Sequence, residues 1–141
     1  MPRWPFFHRG APEGPHALGR AGERLAARWL KKRRYRVLQR NCHVGVGEAD
    51  LVCLAPDRRT IVTVEVKTRR VRTGGGGDGF APEVAVGRAK ERKLRQVAGV
   101  VARRHGWTDR PLRIDVVAIE WPPRGRPRVR HHPDAVQDQH R

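Results

Sequence analysis

Two stretches decide the reading of this chain, Gly47-Glu48-Ala49-Asp50-Leu51-Val52 and Val62-Thr63-Val64-Glu65-Val66-Lys67. A strand turns successive side chains to opposite faces, which sets Ala49, Leu51 and Cys53 on one side and Glu48, Asp50 and Val52 on the other. In the second stretch Val62, Val64 and Val66 alternate with Thr63, Glu65 and Lys67. Between them Pro56-Asp57-Arg58-Arg59 has the chemistry of a tight turn, so the simplest connection is an antiparallel hairpin pairing Ala55 with Thr60. That register places Leu51 opposite Val64 and Asp50 opposite Glu65. A slip of one residue would turn the valines onto the polar face, so the parity is well specified.

Directly opposed residues have Cβ atoms roughly 5 Å apart, and two carboxylates there repel unless something offsets them. A divalent cation does so. Two carboxylates, with the rest of the shell left to water and substrate phosphate, make the hard oxygen environment that Mg²⁺ or Mn²⁺ takes. Asp50 and Glu65 are therefore the candidate metal ligands. Lys67, on the same face as Glu65, is the candidate for holding the attacking water or neutralising charge on a phosphate. The plainer alternative is the solvated polar face of a half-buried hairpin.

Upstream, the spacing predicts a helix over Leu18 to Arg33, with Leu18, Ala21, Leu25 and Trp29 as its apolar stripe and Arg20, Arg24, Arg28 and Lys31 opposite. Glu23 falls at the edge of the stripe, near Ala26 and Leu30, from where it reaches a site on the sheet that the helix covers. Gly19 and Ala26 on that flank permit a close approach. The competing reading is an ordinary exposed glutamate beside an arginine, worth about 0.3 to 0.5 kcal/mol.

Gly19-x2-Gly22-Glu23, Gly47-Glu48-Ala49-Asp50, Val64-Glu65-Val66-Lys67-Thr68-Arg69 and Arg113-Ile114-Asp115-Val116-Val117 occur in this order. Together they resemble the UPF0102 (YraN) family of bacterial predicted endonucleases, over roughly residues 17 to 122. That family is similar in fold to the PD-(D/E)XK nucleases and, among them, to archaeal Holliday junction resolvases. The resemblance implies an α/β fold with a restriction-endonuclease-like three-layer core, a central mixed β-sheet flanked by helices. It also implies that Glu23 is the first-helix acid, Asp50 and Glu65 the metal-binding acids and Lys67 the motif lysine.

Charge points independently to nucleic acid: 31 Lys and Arg stand against 14 Asp and Glu, a net charge of +17. The excess is not confined to the ends, since residues 17 to 122 hold 24 basic against 11 acidic residues, a net +13. A field of that sign attracts polyphosphate with little regard to sequence. The densest cluster, Arg88, Lys90, Arg92, Lys93 and Arg95, together with Arg69 after the lysine motif, supplies the expected backbone contacts. The 26 arginines against five lysines also look like the output of a GC-rich genome, which explains arginine over lysine better than basic over acidic.

At 141 residues the chain fits one domain. The expected organisation is a disordered, proline-rich arm over residues 1–16, a nuclease-like domain over 17–122, and a basic tail over 123–141 with one short edge strand near Arg126 to Arg130. Phe6-Phe7 is too short for a signal-peptide core and no apolar run approaches the roughly 18 residues that span a bilayer, so a cytoplasmic protein without membrane contact is expected. Cys42 and Cys53 lack paired Cys-x2-Cys spacing, so neither a disulfide nor zinc is expected.

Arg34 to Arg40 reads as a first strand, and Asn41 to Val46 as a turn. Thr73 to Gly79, with four consecutive glycines, reads as a mobile flap. A second helix from Pro82 to about Arg104 carries Val86, Ala89, Val97 and Val101 as its buried stripe. Leu112 to Glu120 reads as a strand beside the hairpin, with Asp115 as the partner of an arginine. His131-His132 and His140 read as solvated tail residues, and Trp29 as core. Trp4, Trp107 and Trp121 serve equally as base-stacking platforms or loop anchors.

These features lead to a metal-dependent endonuclease that hydrolyses phosphodiesters in DNA, branched or single-stranded. Paired cuts across a junction would require a two-fold homodimer. The alternative is a non-catalytic nucleic-acid-binding protein on a nuclease scaffold, since fold analogy does not establish function.

Overall fold

Ile61-Val62-Thr63-Val64 and the run from Ile114 to Glu120 are buried without a break, the pattern of strands covered on both faces. The computed structural model describes residues 11–45, 47–71 and 86–136. Its elements are α1 (Pro15–Lys32), β1 (Arg36–Val44), β2 (Gly47–Leu54), β3 (Ile61–Arg70), α2 (Arg88–Arg104), β4 (Leu112–Trp121) and β5 (Arg128–His132). The sheet order is β1-β2-β3-β4-β5, antiparallel throughout except for the parallel pair β3 and β4. A parallel pair needs a crossover, and α2 lies on it.

Each helix covers one face. Ala26, Ala27 and Leu30 of α1 pack on Leu51, Cys53, Val62 and Val64, whereas Leu94, Val97 and Val101 of α2 pack on Val52, Ile61 and Ile114. This is the three-layer α/β architecture with a mixed central sheet that the sequence predicts, consistent with a restriction-endonuclease-like core. The two cysteines lie free in different cores, and burial pushes the Cys53 thiol up to about 12.

The hairpin register is the expected one, with Leu51 paired to Val64 and the Ala55 N–H donating to the Thr60 carbonyl at 2.9 Å. Asp57 accepts from the Arg59 and Thr60 N–H groups and fixes the turn. Other expectations need correction. The first half of β3 is buried on both faces, so its polar face begins only at Glu65. The first strand does not end at Arg40, because β1 runs on to Val44 and its hairpin with β2 closes beyond it. On α1 the buried stripe is Leu18, Ala21, Gly22, Ala26, Ala27 and Leu30, with Leu25 and Trp29 at its margin. The close approach is made by Gly22 rather than Gly19: a Cβ at Gly22 would overlap the Thr68 hydroxyl and lie 2.9 Å from Thr68 Cβ, while nothing lies within 4 Å of one at Gly19.

On α2, Ala89 is exposed and Leu94, Ala98 and Ala102 are buried. Val86 is buried ahead of the helix, bridged to Val136, and its N–H donates to the Ala135 carbonyl at 2.7 Å. Ala135 in turn donates to the Ile114 carbonyl at 2.8 Å, so the chain after β5 holds the start of α2 against β4. The predicted start of this helix at Pro82 and the glycine-rich flap lie outside the described residues.

His131 is not a solvated tail residue. β5 pairs along β4 and sets His131 Nε2 2.7 Å from Asp115 Oδ2. Asp115 has no exposed surface. Arg113 grips both its oxygens at 2.8 Å while donating to the Tyr35 hydroxyl at 2.7 Å, and the Asp134 N–H donates to Oδ1 at 3.0 Å. Burial alone would raise the Asp115 carboxyl, but the bonds from His131, Arg113 and Asp134 outweigh it and hold the group below its ordinary 3.8. The expected arginine partner is therefore present, within a network that joins β4, β5 and the approach to β1.

Gly22→Ala should destabilise the fold by roughly 1 to 3 kcal/mol through overpacking, with part of the loss recovered in a Thr68→Ala background, measured by urea denaturation. Asp115→Ala should cost about 3 to 5 kcal/mol, because it strands buried partners of a removed charge. Since the folded carboxyl is depressed, its contribution is present above pH 3.8 and lost as pH falls through the folded value. Asp115→Asn should therefore flatten the acid limb of a stability-versus-pH curve.

Candidate functional site

Asp50 interrupts the hydrogen-bond ladder on both sides of β2. Between β1 and β2 the register passes from Arg40↔Leu51 to Cys42↔Ala49 and omits Asn41 and Asp50. Asn41 takes a φ of 47°, a left-handed conformation that asparagine tolerates better than most residues. Between β2 and β3 the pairing ends at Leu51↔Val64. There Asp50 Oδ2 accepts the Val66 N–H at 2.8 Å, so a carboxylate oxygen takes the place of a backbone carbonyl. Strict alternation breaks with the ladder. Leu51 and Cys53 pack toward α1, but Ala49 packs in the core under α2.

The interruption opens Asp50 to both helices. From α1, Glu23 comes within hydrogen-bonding reach of both Asp50 and Asn41. Burial, and next the Asp50 charge, push the Glu23 carboxyl up, while Asn41 opposes the shift. Burial also raises the Asp50 carboxyl; the Val66 N–H opposes this and the Glu65 charge adds to it. From α2, the Lys90 ammonium pairs with Glu65 Oε1. Glu65 Oε2 is buried and has no hydrogen-bond partner.

Asp50, Glu65 and Lys90, with Glu48, border a cleft of about 400 Å³ between the start of β2, the middle of β3 and the first turns of α2, with Lys93 and Leu94 on the helical wall; Glu23 and Asn41 are not among its lining residues. Among the described residues, no three or more His, Cys, Asp or Glu side chains are arranged to hold a metal ion unaided. Two carboxylates nevertheless match the habit of Mg²⁺, which keeps several waters and takes other oxygens from phosphate. The buried, unpartnered oxygen of Glu65 fits such a ligand.

Of the expected site residues, Glu23, Asp50 and Glu65 come together. Lys67 is exposed and is not among the residues that line the cleft. Arg69 donates to Glu120 at 2.6 Å. Arg88 and Arg92 are exposed on α2, whereas Lys90 and Lys93 line the cleft. Sequence reasoning took Lys90 as a backbone contact and missed its pairing with Glu65; it also missed Asn41. An asparagine amid strand-forming residues was the one available signal for the latter.

Fold and site together define a restriction-endonuclease-like α/β domain whose central sheet presents clustered carboxylates to lysines across one cleft. The model of the Uncharacterised protein family UPF0102 matches residues 22–119, and the chain belongs to that family. A UPF0102 protein of Anaeromyxobacter dehalogenans is 43% identical over 126 residues, covering 89% of this chain and 88% of its own. One from Geobacter sulfurreducens is 41% identical over 128 residues, covering 89% and 94%. Another, from Clavibacter michiganensis, is 45% identical over 112 residues, covering 79% and 89%.

Raised carboxyls imply that the ionised cluster opposes folding. Asp50→Asn keeps an oxygen acceptor for Val66 and removes one charge. It should therefore increase stability at pH 7, with the gain shrinking as acid protonates the wild-type cluster, as chemical denaturation at pH 7 and under acidic conditions would read.

Proposed function

We propose that this protein is a metal-dependent endonuclease that hydrolyses phosphodiester bonds in DNA, with Asp50 and Glu65 holding Mg²⁺ or Mn²⁺ and Glu23 assisting. The observation that carries the reading is Glu65 Oε2, a buried carboxylate oxygen without a hydrogen-bond partner, on a residue that lines one cleft together with Asp50, Lys90 and Lys93. A cation bound there supplies Lewis acidity toward the phosphoryl oxygen and makes water a better nucleophile at neutral pH. The chain supplies the remainder. Asp50 is fixed by the Val66 N–H, Glu23 holds a proton or completes the cation's surroundings, and Lys93 meets the phosphate charge at the cleft wall. Arg88 and Arg92, exposed beside it, hold the flanking backbone electrostatically. Lys67 serves from outside the cleft wall by meeting substrate charge at its edge.

One observation favours a second reading, a nucleic-acid-binding protein that does no chemistry: a lysine of the chain itself, Lys90, is ion-paired with Glu65. Cleavage assays on labelled linear, single-stranded and four-way-branched DNA separate the two. The expected outcome is cutting with Mg²⁺ or Mn²⁺, none with EDTA, and losses on the order of a hundredfold or more in Asp50→Ala and Glu65→Ala. Tight, salt-sensitive binding with no cleavage of any substrate would favour the scaffold.

A further inference from the structure

Lys90 is the one cleft lysine that is ion-paired to a candidate metal ligand. Its ammonium sits on Glu65 Oε1, although the side chain as a whole is 52% exposed and that of Glu65 only 15%. It comes from the first turn of α2, next to Ala89, which is exposed, and Lys93, which lines the same cleft. The pair is lopsided. One Glu65 oxygen has a cation and the other, though buried, has nothing. A strut meant only to fasten α2 to β3 would gain from satisfying both oxygens, since a buried acceptor left unpaired is costly. A flexible lysine stem reaching in from solvent can instead withdraw with little loss of buried apolar surface.

Resting on the reading of Asp50 and Glu65 as metal ligands, we propose that the Lys90 ammonium is a resident counter-cation for Glu65, displaced when a divalent ion binds and thereby released to contact a substrate phosphate. The charge balance supports the exchange. Without a cation, Asp50 and Glu65 would repel one another in the cleft, with Glu23 adding its charge to Asp50 from the α1 side, and Lys90 relieves that repulsion through Glu65. A divalent ion brings more charge to the same carboxylates, so Lys90 then becomes a like charge beside it and its favoured partner becomes an anion. Lys90 thus makes the cleft tolerable when empty and ready for phosphate when loaded.

The test is Mn²⁺ binding to the full-length protein by titration calorimetry, for the wild type, Lys90→Met, Lys90→Gln, Lys93→Met and Glu65→Gln. Removal of the competitor should tighten Mn²⁺ binding about tenfold in both Lys90 variants. Lys93→Met controls for loss of a nearby charge and should change it less than about threefold. A second signature is the salt dependence of binding to a short labelled DNA duplex. Lys90→Met should leave the slope unchanged in EDTA and lower it by about one with Ca²⁺ as a non-cleaving occupant. If Glu65→Gln weakens Mn²⁺ binding but the Lys90 variants bind it no tighter than wild type, the displacement is overturned while the metal-site reading stands. Mn²⁺ binding unaffected by Glu65→Gln would overturn both.

Discussion

The organisation of this molecule turns on a single hydrogen bond, from the Val66 N–H to Asp50 Oδ2. An antiparallel ladder that continued past Leu51 and Val64 would satisfy Val66 with a backbone carbonyl and leave the Asp50 side chain on one face. With the carboxylate in that place the β2 to β3 pairing ends, and Asp50 becomes accessible to α1 and α2 together. The left-handed Asn41 does the same on the β1 side. A sheet buried on both faces ordinarily has no room for a polar cluster, and here the cluster occupies the gap in its own hydrogen bonding.

Two packing devices hold the helices to that gap. The missing side chain of Gly22 lets α1 settle on Thr68, which brings the neighbouring Glu23 down to Asp50. On the other face, the chain after β5 ties Val86 through Ala135 to Ile114 and so fixes where α2 begins. The start of α2 decides which residues of its basic run reach the cleft, and those are Lys90, on Glu65 of β3, and Lys93, beside Gly47 of β2. The remote Asp115 network serves the same end, because it seats β5, from which the tie departs.

Much of this was legible in the sequence because two short periods carry it. Alternation over Glu48 to Cys53 and Val62 to Lys67 set the parity of the hairpin, and the helical wheel placed Glu23 near Ala26 and Leu30, where the buried stripe of α1 lies. What escaped depends on longer range. No local period signals that Asn41 leaves the ladder. Nor does one show that Ala49 and Leu51 face different cores, since that follows from the interruption. His131 sits in a run of Pro, Arg and His whose composition resembles a solvated tail, and only the pairing of β5 along β4 shows it to be structural. Lys90 was one cation in a cluster of five, Arg88 to Arg95, and its selection by Glu65 required the phase of α2 against the sheet.

The acids and bases of the cleft also bear on why a chain with net charge +17 keeps carboxylates inside it. Electrostatic attraction to a polyanion is strongest when the basic surface is unopposed. Glu23, Asp50 and Glu65 work against it, and the raised carboxyls of Glu23 and Asp50 show that the fold bears a cost for them as well. Carboxyls raised by burial and a neighbouring charge, as those of Glu23 and Asp50 are, mark a candidate functional site. Glu65 adds to this. A glutamate kept only to fasten α2 would be satisfied at both oxygens or left to solvent, whereas this one is held at one oxygen and buried at the other. That half-satisfied state is the one the proposed role of Glu65 as a metal ligand calls for.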